Sequence, residues 1–261
     1  MTVPANPVPG LRAGLSALRQ RSLYQLTGLG AASRRQLAAL KDAHPGERCF
    51  ILGNGPSLRQ TDLTRLKGET TFGLNRVYLL FPELGFPTTY LVAINWLVLD
   101  QCAGEILDLS IPTFLPWSYH TRLDRSQLER TVFVQCDGAR PGFTRDVRRP
   151  VWQGATVTYV AMQLAFHMGF QKVILIGVDH SFTTQGKPHE TVVSQGDDPN
   201  HFSGSYFGKG FRWQLPDLET SERAYGMARD AYAAAGRELV DATVGGKLTV
   251  FPKVEYASLF R

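Results

Sequence analysis

The chain is poor in cysteine, has no long apolar run and lacks a secretory leader, and each shortage closes a class of protein. Its three cysteines, Cys49, Cys102 and Cys136, stand far apart among 261 residues without Cys-x-x-Cys spacing. That excludes a disulfide framework and a structural zinc site, and marks all three as small core residues. Nowhere does the sequence hold the roughly 18 to 20 uninterrupted apolar residues of a membrane span. Residues 1–10 also lack the charged start and apolar core of a signal peptide, so a cytoplasmic protein is expected. Motifs that read nucleic-acid grooves or stack bases are missing too, so no nucleic-acid partner is expected.

What is present is enough apolar material for one substantial core, 43% of residues, with 20% charged. The formal net charge of +5 is unevenly placed. Arg12, Arg19, Arg21, Arg34, Arg35 and Lys41 crowd one segment, and Arg140, Arg145, Arg148 and Arg149 crowd another. Two basic surfaces follow, suited to nucleotide phosphates, acidic glycans or a phospholipid surface. The first predicts peripheral contact with the inner face of a membrane.

Leucines at helical intervals across residues 11–41, interrupted by Gly28 and Gly30, predict two short helices. His44, Pro45 and Gly46 end them, which makes residues 1–45 a helical appendage. From residue 46 onward short β-branched strands alternate with helical stretches. Strands are expected at 48–52, 71–74, 89–94, 113–115, 131–134, 172–176 and 238–240, and helices at 57–66, 96–107, 156–168 and 218–235. The pattern predicts an α/β, Rossmann-like, doubly wound and mainly parallel sheet, with ligands beyond the carboxyl ends of its strands. Residues 181–215, rich in Gly, Pro, His and aromatics, read as a long lid loop.

Several motifs fall at that edge. Gly53-Asn54-Gly55-Pro56-Ser57 follows an apolar strand; its glycines permit a sharp turn, and Ser57 is placed to cap a helix whose positive end faces an anion. Leu58 stands where a dinucleotide fingerprint needs its third glycine, and no Gly-Lys-Ser/Thr follows, so neither NAD nor a Walker loop is indicated. Asn75 and Asn95 each end a strand and offer amides able to donate and accept. Gly154, Thr156 and Thr158 open the most apolar helix and suit a second anionic group. Asp179 and His180 close another strand as metal ligand, base or anchor. The lid supplies His189, Asp197, Asp198, His201, Ser205 and Tyr206, and Thr243 lies in a glycine-bearing turn after the last strand.

In this order the motifs resemble the MptE-like family and, more distantly, the bacterial sialyltransferases of glycosyltransferase family 42. The carriers are Gly53-Asn54-Gly55-Pro56-Ser57-Leu58, Gly73-Leu74-Asn75, Gly154-Ala155-Thr156-Val157-Thr158, Ile174 through His180, Asn200-His201-Phe202-Ser203-Gly204 and Ala242 through Leu248. The resemblance implies a Rossmann-like nucleotide-binding transferase, with Asn54, Ser57, Asn75, Asn95 and Thr156 at positions that contact a CMP-linked sugar donor. It needs no metal, and its acceptor is a glycan or lipid-linked glycan in surface-polysaccharide synthesis. The sialyltransferase lid motif His-Tyr-Ile-Gly-His reads His201-Phe202-Ser203-Gly204-Ser205 here. Ser205 therefore holds the position of the general base, and His201 or His180 is expected to replace it. The family's namesake implies an alternative, a pterin diphosphokinase using ATP and magnesium, with Asp179, Asp197 or Asp198 as metal ligands. A catalytically inactive nucleotide-binding protein is a third expectation.

Overall fold

Successive side chains of an extended strand point to opposite faces, and in Arg48–Leu52 both sets are apolar from Cys49 onward. Cys49 and Ile51 enter one core cluster, and Phe50 and Leu52 enter the other. A strand buried on both faces belongs in the middle of a parallel sheet. The computed structural model describes residues 9–136, 140–184 and 186–260, with side chains from residue 16 onward, and shows this arrangement. Arg12, one of the basic residues named above, lies outside the described side chains.

The strands are β1 (Arg48–Leu52), β2 (Thr71–Leu74), β3 (Tyr90–Val92), β4 (Thr113–Pro116), β5 (Thr131–Val134), β6 (Lys172–Ile176), β7 (Thr191–Val193), β8 (Arg212–Gln214) and β9 (Glu238–Asp241). Seven of them form one sheet in the order β5-β4-β3-β2-β1-β6-β9, every neighbouring pair parallel. The chain winds outward from β1 to β5, then returns to place β6 on the other side of β1. That reversal opens a crevice at the carboxyl ends of β1 and β6.

Helices cover both faces: α1 (Pro9–Leu26), α2 (Gly28–Leu40), the one-turn α3 (Phe81–Leu84), α4 (Trp96–Leu107), α5 (Arg125–Arg130), α6 (Val157–His167) and α7 (Leu218–Ala234). The α1–α2 hairpin lies along the β5 edge and gives Tyr24 to one core cluster and Leu37 to the other. At the opposite edge, β9 is shielded by the C-terminal segment: Lys253 bridges to Asp241 and its Nζ lies 2.5 Å from the Asp241 carboxylate. All three cysteines are buried thiols without disulfides.

Two expectations need correction. The helix expected at 57–66 is a pair of 3₁₀ turns, Pro56–Gln60 and Leu63–Leu66, separated by extended Thr61. Thr61 donates its hydroxyl to Ser57 O, and Asp62 accepts from Thr64 N, so side chains compete with the backbone and stop the helix. The stretch 181–215 is not a bare loop either. It contains the antiparallel β7–β8 pair, and its Phe202, Tyr206, Phe207, Trp213 and Leu215 are buried in the core of one sheet face.

His167, at the end of α6, couples the hairpin to the sheet. Its Nε2 donates to Leu37 O at 2.8 Å, and burial lowers its pKa below the ordinary value. The folded state therefore binds a proton here less readily than the unfolded chain. Stability from this group is full above about pH 6.5 and falls as the pH drops below it. Thermal melting between pH 8 and pH 5 will show this loss, and His167→Gln will flatten it.

Candidate functional site

The turn after β1 and the turn after β6 meet at the crevice. Gly53 N donates to Ile176 O at 2.8 Å and Gly55 N to Gly177 O at 2.9 Å. The two backbones come so close that a Cβ on Gly53 would lie 2.2 Å from Gly177 O, and one on Gly55 would lie 1.8 Å from Asp179 Oδ2. The anion seated on this turn is internal. Asp179 accepts from Ser57 N at 3.1 Å and from Ser57 Oγ at 2.6 Å. The glycines thus serve the apposition of two strand ends, and Ser57 lies buried beneath the cleft rather than on its wall.

Beyond the turns lies a cleft of two joined chambers, enclosing about 690 and about 1150 Å³ with their open mouths. The first is walled by Gly53, Asn54, Gly55, Thr158, Asp179 and His180. The second is walled by Asn75, Asn95, Trp96, His189, Trp213 and Asp217. Asn54, Thr156 and His201 face both. Among the described residues no Lys or Arg lines either chamber.

Three full α-helices open onto this cleft, each with a polar cap. Asn95 Oδ1 accepts from Leu97 N and Val98 N, Thr156 Oγ1 from Thr158 N, and Asp217 Oδ1 from Thr220 N. Before α6, Gly154 and Ala155 both adopt left-handed backbone, φ +56° and +58°, which turns the chain into the helix. A Cβ on Gly154 would lie 2.5 Å from that of Ala224, so Gly154 packs against α7 behind the lining. The anion-favouring helix end is therefore that of α6, not the turn at Ser57. Tyr225 stands beside it with its hydroxyl 3.3 Å from Thr156 Oγ1; burial raises its pKa and keeps it a neutral phenol.

Asn54 donates Nδ2 to Leu74 O at 3.1 Å, which fixes the amide orientation and leaves its buried Oδ1 without a protein donor. The buried Oδ1 of Asn75 is also unpaired, on a residue held at φ +49°. Buried acceptors left open at a cleft wall call for donors on a ligand.

Every histidine of the cleft is paired with a carboxylate. His180 Nε2 lies 2.8 Å from Glu222, His189 Nε2 lies 3.2 Å from Asp217, and His201 Nδ1 lies 2.6 Å from Asp198. The His180 side chain is the least exposed of the three, 8% against 13% for His201, but His201 has the more aromatic surroundings. Its ring stacks on Tyr206 at 4.0 Å and meets Phe207 edge-on, and the Asp198 side chain is 4% exposed. A carboxylate only accepts, so Nδ1 is the donor here, and in the neutral ring the lone pair is on Nε2. Arg76 supports this arrangement from below, donating to Tyr206 O and, through Nε, to Tyr78 Oη at 3.2 Å.

The remaining expected residues fall outside the walls. Ser205 pairs its hydroxyl with Ser203 at 2.9 Å, and Thr243 Oγ1 accepts from Val178 N at 3.1 Å in the interior. Asp197 is exposed. The oxygens of Asp179 are engaged by Ser57, and those of Asp198 by Asn200 N and His201. Among the described residues no three His, Cys, Asp or Glu side chains gather as for a metal. This donor set does not fit a magnesium site. Tyr225, Trp96 and Asp217 are cleft residues the sequence reading missed, as it missed Glu222, the partner of His180; only the cap pattern Asp217-x-x-Thr220 signalled one of them.

A parallel sheet reversed at β1, with a polar cleft at that point, defines a Rossmann-like α/β protein. A family model described as 6-hydroxymethylpterin diphosphokinase MptE-like matches residues 28–185, and the chain belongs to the MptE-like family. Among solved structures, that of the MAf glycosyltransferase from Magnetospirillum magneticum AMB-1 is similar in fold, with a TM-score of 0.54 and 16% identity. The likeness covers 97% of this chain and 43% of the other, so this chain spans less than half of that protein. No curated protein matches the chain.

Replacing Asp179 by Ala strips the buried N–H and hydroxyl of Ser57 of their acceptor. Urea unfolding is expected to show a loss of about 2 to 3 kcal/mol. Gly55→Ala, which drives a methyl group into the same carboxylate, is expected to cost a similar amount.

Proposed function

We propose that the chain transfers a sugar from a nucleotide-activated donor, of the CMP-linked type, to a hydroxyl of a glycan or lipid-linked acceptor. The observation that carries this reading is the Asp198–His201 pair standing between two chambers. The first chamber, with the α6 N-terminus, Thr156, Thr158 and Tyr225, suits the nucleotide phosphate. The open amides of Asn54 and Asn75, with Asn95, suit sugar hydroxyls. His201 takes the proton of the acceptor hydroxyl at Nε2 as the new carbon–oxygen bond forms. The bond from the anomeric carbon to phosphate breaks, and the nucleoside phosphate leaves with its electron pair. Asp198 holds the imidazole tautomer and steadies the imidazolium that results.

Charge favours this donor over ATP. A cleft wall without Lys or Arg, carrying Asp179 and Asp217, is poorly matched to a triphosphate. A nucleoside monophosphate ester presents much less charge. The family description supports diphosphate transfer from ATP as the second reading.

Thermal-shift measurements with CMP, UDP and GDP against ATP plus magnesium separate the two, and stabilisation by CMP without metal is expected. Metal-dependent stabilisation by ATP alone would reject the glycosyl-transfer reading, and no response to any nucleotide would reject both in favour of an inactive protein. In turnover assays His201→Ala is expected to lower kcat about 10²- to 10⁴-fold. His180→Ala should leave most of the turnover intact.

A further inference from the structure

The first 41 residues contain no Asp or Glu; the first acidic residue is Asp42. Against five arginines and one lysine, this is a segment of one sign. Its first helix also turns apolar side chains outward. Leu18 is 61% exposed and Leu26 is 84% exposed, while Tyr24 is fully buried beneath the hairpin. At 3.6 residues per turn Leu26 falls about 80° from Leu18, Arg19 about 100° to that same side and Arg21 about 60° to the other. Arg19 and Arg21 are both exposed. The outer face of α1 is thus an apolar crest bordered by guanidinium groups. In the sequence, Leu11 and Leu15 keep the same helical spacing ahead of Leu18.

Tertiary structure adds a second basic element near the end of this helix. Arg34 donates to Tyr24 O and to Gln25 O, which places its part of α2 against the end of α1. There Arg34 and Arg35 share a shallow depression with Arg148 and Arg149 from the loop after β5. Its one acid, Asp146, has both oxygens taken by Arg148, and its pKa is held down to about 2. Arg35 and Arg149 remain exposed, with no ion-pair partner among the described residues.

We propose that the outer face of α1, with the arginine depression beside it, is a docking surface for an anionic phospholipid bilayer. Exposed leucines among arginines match an interface where acyl chains lie beneath phosphate headgroups. A nucleic acid would leave the leucines without a partner. Two copies of the face brought together would oppose like charges.

The test is co-sedimentation of the full chain with vesicles of phosphatidylcholine alone and of equal parts phosphatidylcholine and phosphatidylglycerol. Binding to the anionic vesicles only, weakened by salt, is expected. Arg35→Gln with Arg149→Gln is expected to weaken partitioning about thirtyfold. Leu18→Ser with Leu26→Ser is expected to weaken it about tenfold or more, with melting temperature unchanged because both side chains are exposed. Absence of binding to anionic vesicles would overturn the proposal, as would binding indifferent to both pairs of substitutions. A dimer in sedimentation velocity that the leucine pair abolishes, without vesicle binding, would assign the face to a second copy. Retention of a DNA duplex in place of vesicles would assign it to nucleic acid.

Discussion

The carboxylate of Asp179, gripped by the backbone N–H and hydroxyl of Ser57, ties together the ends of the two central strands. The consequences spread along the cleft. Because β1 and β6 are joined beyond their last paired residues, their turns cannot splay, and glycine is required where the backbones touch. The same tie occupies the anion seat of the first turn with a protein group. Of the two full-helix N-termini at the first chamber, those of α6 and α7, only that of α6 has no acidic cap and so is the end better suited to an anion.

Charge is distributed with the same division. Among the described residues no Lys or Arg stands in the walls of the cleft, where amides, hydroxyls and carboxylate-paired imidazoles stand instead. Neutral donors at a helix end hold one negative charge at little desolvation cost. Buried guanidinium groups would suit a more highly charged ligand. The cations gather on the hairpin and on the loop after β5, outside the cleft walls. The basic surfaces and the cleft are therefore separate regions of this molecule.

The segment 181–215 is fastened rather than loose. Phe202 N donates to Asn54 O at 2.8 Å, Arg59 and Arg76 donate to its carbonyls, and Gln101 exchanges two hydrogen bonds with the backbone of Arg212. These clasps hold Tyr206 flat against His201 and so fix the plane of the imidazole. A ring stacked and hydrogen-bonded in this way is held in one orientation.

The sequence by itself determined the sheet: all seven of its strands lie where β-branched apolar runs predicted them, since a strand buried on both faces has only apolar side chains to show. The capping roles of Asn95 and Thr156 emerged only from the structure, although a cap acts on residues just two or three positions away. Tertiary structure alone decided what faced what. No local pattern announces that Ser57 turns inward to Asp179, 122 residues away, or that Thr243 braces Val178. The helix expected at 57–66 failed because Thr61 and Asp62 compete for backbone partners that propensity assigns to the helix. His201 was visible as a lid histidine. Its place between two chambers, stacked and tied to Asp198, arises from long-range packing of aromatic side chains that in sequence look like the residues of a mobile loop.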